Sequence, residues 1–384
     1  MSKILYKQKY LKYKQKYLEL KGGKGKIYDK NDIEIKEKQP FYIKAGVISQ
    51  KIAPKFVLKN ITEGCNKKQN DLLTDEKRYE AHSKLIKEYD IDKTLIDCND
   101  QREEIECLIT KDISYDDLVK LADLHKKCLT KYKSKNDFFI RKKLGLPKIN
   151  NNNPINSYIV SAADAYCTMF EDEEKSKKYW IKGKNFTIKN LLYDTSTINY
   201  EDEIYLEQPK NITIMRLAPG HYHRFHCPVT GTIESIYSFG DSYYSVQPSI
   251  VNSRINVYTE NKRCVVTIKY NGNKILKMVI VGATCVGSIE FRKKLYPNEN
   301  DKELQFEKES DDNIDKPKKY KIKSNVIFNQ NEQLGNFNFG GSTILYIINS
   351  DDVKRTEEGE KILNNSIKED ETSIVVGTKL YNIN

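Results

Sequence analysis

Two patterns of hydrophobic and polar positions divide the chain. From about residue 75 to 133, apolar side chains recur at the three- and four-residue spacing of amphipathic helices. After a linker formed by INNNN at 149–153 and Pro154, short β-rich runs and strict alternation take over. This order predicts an α+β protein, in which an N-terminal helical region is followed by a mostly antiparallel β catalytic body.

Each of two predicted helices has a capping signal followed by an apolar stripe. The first begins at Thr74 and Asp75 and carries Tyr79, His82, Ile86 and Tyr89; the second begins at the capping box Ser114-x-x-Asp117 and carries Leu118, Leu121, His125, Cys128 and Tyr132. Because His82 and His125 lie on the apolar stripes, we expect them to be hydrogen-bonded core residues rather than ligands.

The later part of the chain contains four clear strand signals. Residues 211–217 alternate, 263–270 form a β-rich run that returns through 275–281, and 343–348 follow a glycine pair. Asn271-Gly272 between the second and third runs is a strong hairpin signal. Residues 293–325 are highly charged and poor in apolar side chains, so we expect an inserted surface loop there.

A basic repeat occupies the amino terminus. YKQKYL at 6–11 returns at 13–18, which predicts a helix with a stripe formed by Tyr6, Tyr10, Tyr13, Tyr17 and Leu20. Such a helix can lie on an anionic membrane or against a partner, and a solvated tail or short coiled coil is the alternative. Residues 1–30 carry +8 of the net charge of +11, so the body lacks a general nucleic-acid footprint and we expect no nucleic-acid partner.

The cysteine spacing, the apolar runs and the lysine-rich start of the chain indicate where the protein resides in the cell. The eight cysteines include no CxxC pair, which disfavours a zinc module or a disulfide framework and is typical of a reducing compartment. No apolar run approaches the ~18 residues of a spanning helix, and Lys recurs through the first 26 residues, unlike a secretory signal. We therefore expect a cytoplasmic protein that is peripheral on membranes through its basic N-terminal arm.

Three of the five histidines, His221, His223 and His226, fall within six residues. A metal site would need all three to converge, but on a strand His226 would point away from the other two, and no acidic residue is nearby. A general-base role for one histidine requires less. Cys227 would face away from His226, so we interpret it as a packing residue rather than a nucleophile.

Two further segments carry chemistry-bearing residues, and each is a weak signal by itself. In FNFGGST at 337–343, two glycines allow unusual backbone conformations immediately before Ser342. In SAADA at 161–165, Asp164 follows apolar and small residues, so its carboxylate is expected to be partly buried. Pairing it with a histidine would relieve the cost of that burial.

Together these segments match one family in order and spacing. The motifs are NDFFIRK at 136–142, SAAD at 161–164, WIKGKNFTIKNLL at 180–192, LAP-x-x-YHRFH-x-PV-x-G from residue 217, YTENKR at 258–263, VGATCVGSIEF at 281–291 and G-x-F-x-FGGST at 335–343. From about residue 75 to 384 the chain thus resembles the phosphatidylserine decarboxylase family, in its eukaryotic-type branch with a GGST cleavage motif. Four positions depart from the family pattern: Ala162, Ala165, His221 and Gln247.

The resemblance implies a carboxy-lyase that converts phosphatidylserine to phosphatidylethanolamine and CO₂. Ser342 would attack the carbonyl of Gly341, and β-elimination and hydrolysis would leave a covalent pyruvoyl group at position 342, which acts as an electron sink. Asp164, His226 and Ser342 correspond to the family's triad, with His226 as the base and Asp164 orienting its imidazole. His223 corresponds to the other motif histidine, which contacts substrate or relays a proton. No metal is implied.

The residue pattern and the resemblance together suggest how the chain is organised. We expect a basic amphipathic arm at 1–38, a helical region at 39–133 and the catalytic domain at 134–384, cut between 341 and 342. The two resulting chains would remain associated as a heterodimer that binds phosphatidylserine in membranes and can form a homo-oligomer. Two alternatives stay open: a metal-dependent hydrolase built on HYHRFH, and a membrane-binding relative without turnover. The sequence gives no role for residues 293–332.

Overall fold

A computed structural model describes most of the chain beyond residue 128. The described residues are 26–29, 31, 33–35, 75–89, 129–143, 145–148, 157–182, 186–193, 198, 200–253, 255–284, 288–307, 317–338 and 340–384. The repeat at 6–18, His125 and most of the second predicted helix lie outside these residues.

Strands dominate the body. In chain order they are β1 (Ile27–Tyr28), β2 (Glu34–Ile35), β3 (Tyr158–Val160), β4 (Ala165–Phe170), β5 (Lys210–Leu217), β6 (Arg224–His226), β7 (Gly231–Phe239), β8 (Arg263–Tyr270), β9 (Lys274–Gly282), β10 (Ile289–Phe291), β11 (Lys318–Lys319), β12 (Ile327–Phe328), β13 (Gln333–Phe337), β14 (Ser342–Asn349), β15 (Val353–Arg355), β16 (Glu371–Ile374) and β17 (Lys379–Ile383).

The described helices are mostly short. They are α1 (Asp75–Tyr89), α2 (Lys135–Phe139), α3 (Glu173–Tyr179), α4 (Ile188–Leu192), α5 (Tyr200–Glu207), α6 (Pro248–Val251), α7 (Val257–Glu260) and α8 (Glu357–Ser366), with 3₁₀ turns at Lys293–Leu295 and Ser350–Asp352. Side chains of Ser134, Asp172, Thr187 and Thr356 cap α2, α3, α4 and α8 by accepting from a main-chain N–H three residues on.

One large sheet organises the molecule. Its order is β11-β7-β8-β9-β14-β5-β4-β16-β1-β2, and β12 also pairs with β7. The pairings are antiparallel except for β1 with β16. Two three-stranded sheets, β10-β13-β6 and β15-β17-β3, complete the described β structure. The observed architecture confirms the α+β prediction.

Strand β14 lies between two large hydrophobic cores, called here the first and the second. Ile344, Tyr346 and Ile348 face the first core, which is closed by the two small sheets and α8. Leu345 and Ile347 face the second, which is covered mainly by helices α4 to α7 and the segment around Trp180. Because side chains alternate along a strand, burial on both faces requires the unbroken apolar run TILYII that the sequence shows.

The predicted strands and hairpin are confirmed. The four predicted runs correspond to β5, β8, β9 and β14, with ends that differ by one residue at most. Asn271 and Gly272 have φ values of +39° and +85°, as a tight turn between β8 and β9 requires. His82 is fully buried on α1; its ring nitrogens lie 2.8 Å from Leu129 O and 3.2 Å from Ser134 O, which confirms it as a core residue.

The predicted surface loop at 293–325 needs a correction. Two of its lysines, Lys293 and Lys294, are exposed, as expected. However, Leu295 is fully buried in the first core, and Tyr296 and Leu304 are also buried there. Residues 318–319 form β11 on the edge of the main sheet. The few apolar residues are surrounded by charged ones, so the average composition of the segment did not indicate burial. The two-residue strand β11 pairs through main-chain atoms, which every residue type offers.

Candidate active site

Ser342 is the first residue of the central strand β14. It pairs with Leu217 of β5 on one side and with Gly282 of β9 on the other, and it is fully buried. Among the atoms that the structure describes, its hydroxyl oxygen has no hydrogen-bond partner. A buried hydroxyl without a partner costs about 1–3 kcal/mol, so its retention points to a chemical role.

The glycine pair before Ser342 has two distinct properties. Gly340 has a φ of +144°, which residues with a side chain rarely adopt. At Gly341 a Cβ atom would find its nearest described neighbour, Val246 Cγ2, at an ordinary 3.7 Å. The backbone conformation at 340, rather than lack of space at 341, is therefore the local requirement for glycine.

His226 ends β6 and is held through both ring nitrogens. Nδ1 lies 2.7 Å from the main-chain oxygen of Asn331, and Nε2 lies 3.0 Å from the hydroxyl of Tyr222. Because a carbonyl oxygen can only accept, we assign the proton to Nδ1, and Nε2 then accepts from Tyr222. Burial lowers the pKa of His226 to about 4, so the ring is neutral near pH 7.

Asp164 lies just before β4 with its side chain only 13% exposed. One carboxylate oxygen is 2.5 Å from Nζ of Lys143, and the other accepts the N–H of Val376 at 3.0 Å. Both described partners differ from the one predicted: no hydrogen bond joins Asp164 to His226 in the described residues. Lys143 and the N–H of Val376 bond to the carboxylate of Asp164, whereas the carbonyl of Asn331 accepts a hydrogen bond from the imidazole of His226. The structure does place His226 beside the loop that carries Asp164, because the main-chain N–H of His226 donates to Ala162 O at 2.9 Å.

His223 is buried beside the end of β5. Nε2 lies 2.9 Å from the main-chain oxygen of Ala218, and the ring stacks on Phe139 with centroids 3.9 Å apart. Ala218 directly follows Leu217, the residue paired with Ser342, so His223 and Ser342 share this end of the sheet. Burial lowers the pKa of His223 well below its ordinary value. Its Nδ1 has no partner within the described part of the molecule.

The rings of the three histidines bond to different atoms, although His221 and His223 both bond to the main chain of Ala218. Nδ1 of His221 accepts the N–H of Ala218 at 3.1 Å, and its ring edge contacts Tyr166. His223 and His226 are bonded as described above. Within the described ranges, no group of three His, Cys, Asp or Glu side chains has a geometry that could hold a metal ion. Cys227 is fully buried with its pKa raised to about 12 by burial, which confirms it as a packing residue.

The structure unites the three sequence motifs at one end of the main sheet. Tyr166 of β4 pairs with Arg216 of β5, which pairs with Thr343 of β14. Asp164 just before β4, Ala218 just after β5 and Ser342 at the start of β14 therefore lie at the same end of the sheet. No hydrogen bond joins Ser342 to either His223 or His226 in the part of the chain that is described.

Three residues of the site were missed from sequence. Tyr222 stands inside the YHRFH motif and Lys143 directly follows NDFFIRK, so both could have been singled out as neighbours of motif residues. Asn331 acts through its main-chain oxygen, for which the sequence carries no side-chain signal. No helix among the described residues is long and apolar enough to cross a membrane.

Comparison with known proteins gives consistent matches. The profile of the family described as phosphatidylserine decarboxylase matches residues 136–368. The chain is 35% identical over 257 residues to phosphatidylserine decarboxylase proenzyme 2 of Komagataella phaffii, covering 66% of this chain and 22% of that protein. It is 33% identical over 261 residues to proenzyme 2 of Oryza sativa, covering 66% and 34%.

A bacterial relative is matched over most of its own length. The chain is 30% identical over 260 residues to the phosphatidylserine decarboxylase proenzyme of Fusobacterium nucleatum, covering 67% of this chain and 73% of that protein. By contrast, the matched segment spans about a fifth of the yeast relative and about a third of the rice relative.

Proposed function

The chain belongs to the phosphatidylserine decarboxylase family, and from this premise we propose that it converts phosphatidylserine to phosphatidylethanolamine and CO₂. The proposal includes self-cleavage between Gly341 and Ser342 to create a pyruvoyl group. One observation carries it: the buried Ser342 hydroxyl without a described partner, at the start of the central strand and two residues after a glycine with φ of +144°.

These residues fit the formation of a pyruvoyl group at position 342. Ser342 Oγ would attack the carbonyl carbon of Gly341, its proton would pass to a base, and the Gly341–Ser342 C–N bond would break as the ester forms. Elimination frees the Gly341 carboxylate, and hydrolysis consumes water and releases ammonia. The pyruvoyl carbonyl then supplies the electron sink for loss of the substrate carboxylate. The pairing of β14 with both neighbours would hold position 342 in place throughout.

His226 is our proposed base for processing, and Asp164 supports its environment. His226 is neutral near pH 7, since burial lowers its pKa to about 4. Its unprotonated nitrogen Nε2, which accepts from Tyr222 in this structure, would take the proton once that hydrogen bond is exchanged. Asp164 affects it through charge, because the carboxylate opposes the lowering of the His226 pKa. We propose that His223, which shares the end of β5 with Ser342, contacts the substrate or relays a proton.

We propose that the two chains of 341 and 43 residues remain associated. The smaller chain would contribute β14 to the centre of the main sheet and β16 next to β4. It would also contribute α8 and Leu380 to the first core. Separating it would require the loss of the β14 pairings with both β5 and β9.

We propose a cytoplasmic enzyme that binds membranes peripherally through its basic amino-terminal arm. The support is the repeat at 6–18, with its alternating lysines and tyrosines, and the location of the substrate in a bilayer. Residues 1–30 carry +8 of the net charge of +11, which supports an anionic lipid surface as the partner of the arm and argues against a nucleic-acid footprint on the body.

The test combines intact mass, a denaturing gel and a decarboxylation assay on phosphatidylserine vesicles. The wild-type protein should appear as two chains, with the smaller one blocked at its amino terminus, and should form phosphatidylethanolamine. Ser342→Ala should stay intact and inactive, because no hydroxyl is left to attack. Ser235→Ala, which removes a hydroxyl bonded to Thr267 on β7 and β8, is the matched control and should be processed normally.

Other outcomes point to the alternatives. An intact wild-type chain with stoichiometric zinc would favour the metal-dependent hydrolase on HYHRFH. An intact chain without metal would favour the membrane-binding relative that lacks turnover. Scission of Ser342→Ala between 341 and 342 would exclude serine-driven cleavage.

A further inference from the structure

We propose that Asn331 is the positioning residue of His226, and that its main-chain carbonyl fixes the imidazole in the Nδ1–H tautomer. The inference rests on the proposed function for its catalytic meaning. The tautomer itself is a property of the folded chain that can be measured separately.

The carbonyl of Asn331 is held in register with His226 by a set of short main-chain bonds. The N–H of Asn331 donates to Cys227 O at 2.9 Å, and the N–H of Cys227 donates to Glu332 O at 2.8 Å. His226 Nδ1 then lies 2.7 Å from Asn331 O. Residues 331–332 therefore clamp residues 226–227 at three points, which leaves the imidazole little freedom to rotate.

The neighbouring residue anchors this clamp to the body. The side-chain amide of Gln330 donates to Tyr158 O at 2.7 Å and to Pro228 O at 3.1 Å, and its N–H donates to Thr230 Oγ1 at 2.9 Å. Gln330 thus ties the segment to β3 and to the loop between β6 and β7. These contacts give a role to the end of the 293–332 segment: it delivers one carbonyl to His226.

Backbone conformation explains the residue type at 331. Asn331 has a φ of +67°, in the left-handed region that asparagine and glycine tolerate and β-branched residues resist. Its side-chain oxygen Oδ1 is buried and has no hydrogen-bond partner among the described atoms. The side chain therefore contributes little bonding, and the essential feature is a residue that can adopt this φ and present its carbonyl.

The usual orienting group is engaged elsewhere. In a Ser-His-Asp arrangement a carboxylate receives the proton of the histidine nitrogen that faces away from the nucleophile. Here both oxygens of Asp164 have partners, Lys143 and the N–H of Val376. The Asn331 carbonyl occupies the corresponding position on His226 and sets the tautomer, because the hydrogen bond at one ring nitrogen determines which nitrogen carries the proton.

The direct test is ¹⁵N NMR of histidine-labelled, full-length Ser342→Ala protein, which remains uncut. Only five histidines are present, and His226→Gln assigns the signal. We expect His226 Nδ1 to be protonated and Nε2 unprotonated near neutral pH. Tyr222→Phe should preserve that tautomer, because the Asn331 carbonyl is still present. An Nε2–H tautomer in the parent protein would overturn the inference without any further variant.

Processing rates test the positioning role in the chain that retains Ser342. Asn331→Gly keeps the φ and the carbonyl, so it should be processed within about threefold of the wild type. Asn331→Val should be processed at least about tenfold more slowly and should show mixed tautomers, since a misplaced general base loses much of its ~10²–10⁴ effect. Asn325→Val is the matched control: Asn325 also has a positive φ, +54°, but is exposed.

The outcomes separate this inference from the proposed function. If Asn331→Val matches the wild type in rate and tautomer, or if Asn331→Gly is as slow as Asn331→Val, the carbonyl is not the positioning group. If Asn331→Val does not fold, the parent tautomer and Asn331→Gly still decide the question. If the wild type is never cut, the proposed function fails while the tautomer measurement stands.

Discussion

The guanidinium of Arg216 and the carboxylate of Glu371 form a two-point ion pair inside the main sheet. Nε lies 2.9 Å from Oε1 and Nη2 lies 2.6 Å from Oε2, and both side chains are about 5% exposed or less. Arg216 also lies over the ring of Tyr166. With the proposed scission at 341/342, this buried pair would join the two chains.

Replacing Arg216 with methionine should destabilise the protein strongly, because it leaves the buried carboxylate of Glu371 without this partner. Removal of one member of a buried pair typically costs about 3–5 kcal/mol. The measurement is urea unfolding of the uncut Ser342→Ala chain with and without Arg216→Met.

Lys182 provides the matched control for that experiment. Its pair with Glu369 spans 3.1 Å, and the two side chains are 39% and 38% exposed. Lys182→Met should therefore change the unfolding free energy by less than about 1 kcal/mol. Equal effects of the two substitutions would show that burial does not set the strength of the Arg216–Glu371 contact.

Gly340→Ala should slow processing more than Gly341→Ala. The φ of +144° at Gly340 strains any residue with a side chain, whereas a Cβ at Gly341 would meet Val246 at an ordinary distance. Quantifying uncut and cut chains on a denaturing gel during expression and incubation measures both rates. A slower Gly341→Ala variant would instead mean that crowding at the attacked carbonyl dominates.

His226→Ala should block or greatly slow processing, since loss of a general base typically costs on the order of 10²–10⁴ in rate. Asp164→Asn should also block or greatly slow it, because the carboxylate charge supports His226. His82→Ala should still be processed, since His82 is bonded within the helical region to Leu129 and Ser134. His125→Ala is expected to behave like His82→Ala. The measurement is intact mass after timed incubation.

His223→Ala separates processing from turnover. We expect at least partial scission together with loss of decarboxylation, because we propose that His223 contacts the substrate or relays a proton. Normal processing and turnover in His226→Ala would remove the central assignment, whatever the behaviour of the His223 variant.

Stability should fall in mild acid because of His226. Burial lowers its folded-state pKa from 6.5 to about 4, so between these values the unfolded chain binds a proton that the folded chain does not. The contribution is complete above about pH 6.5, decreases as the pH falls, and is lost at about pH 4, for a total of about 3 kcal/mol. Urea unfolding of Ser342→Ala from about pH 7 to pH 4.5 measures the slope.

The double variant Ser342→Ala/His226→Gln isolates that contribution. Burial also lowers the pKa of His82 and His223, so some acid sensitivity should persist in it. A slope unchanged by His226→Gln would mean that His226 is not buried as a neutral ring.

Deleting residues 1–24 should weaken binding to phosphatidylserine vesicles, more at low salt than at high. Each lysine near an anionic surface contributes ~1 kcal/mol, and salt screens it. The lysines within the repeat are Lys7, Lys9, Lys12, Lys14 and Lys16. The cut spares Lys26, whose main-chain oxygen accepts the N–H of Glu371, so scission at 341/342 should be unaffected.

Vesicle co-sedimentation of the full-length and truncated proteins over a salt series provides the measurement. Some residual binding is expected, because we also expect the body to dock through the helical region predicted at 75–133. Equal binding of both proteins at every salt concentration would make the arm a solvated tail or a partner-binding segment.

Features that depend on side-chain pattern were predictable from the sequence. The run TILYII at 343–348 predicted a strand, and Asn271-Gly272 predicted the tight turn. His82 was predicted as a core histidine from its apolar stripe, and Cys227 as packing from its position beside His226. In each case the residue type itself carries the information, because burial or φ selects it directly.

Features that depend on main-chain atoms were not predictable in this way. The partner of His226 is a carbonyl brought from more than a hundred residues away, and the oxygens of Asp164 are satisfied by Lys143 and an amide. Every residue type offers the same main-chain carbonyl, so no sequence motif marks Asn331. The buried Leu295 was hidden among charged neighbours for a related reason: one apolar residue makes no periodic pattern.

The central place of β14 requires that the proposed scission follow the folding of this strand into the sheet. While the chain is continuous, β14 enters the gap between β5 and β9 as a tethered segment, at an effective concentration on the order of millimolar. A 43-residue fragment released before that step would have to find a sheet with two open edges by diffusion, in competition with aggregation. Under the proposed scission, the uncut chain would therefore fold first, and both products would keep the structure formed in that step. If the chain is cut as proposed, fully denatured two-chain protein should refold poorly, since β14 is no longer covalently tethered to the rest of the sheet.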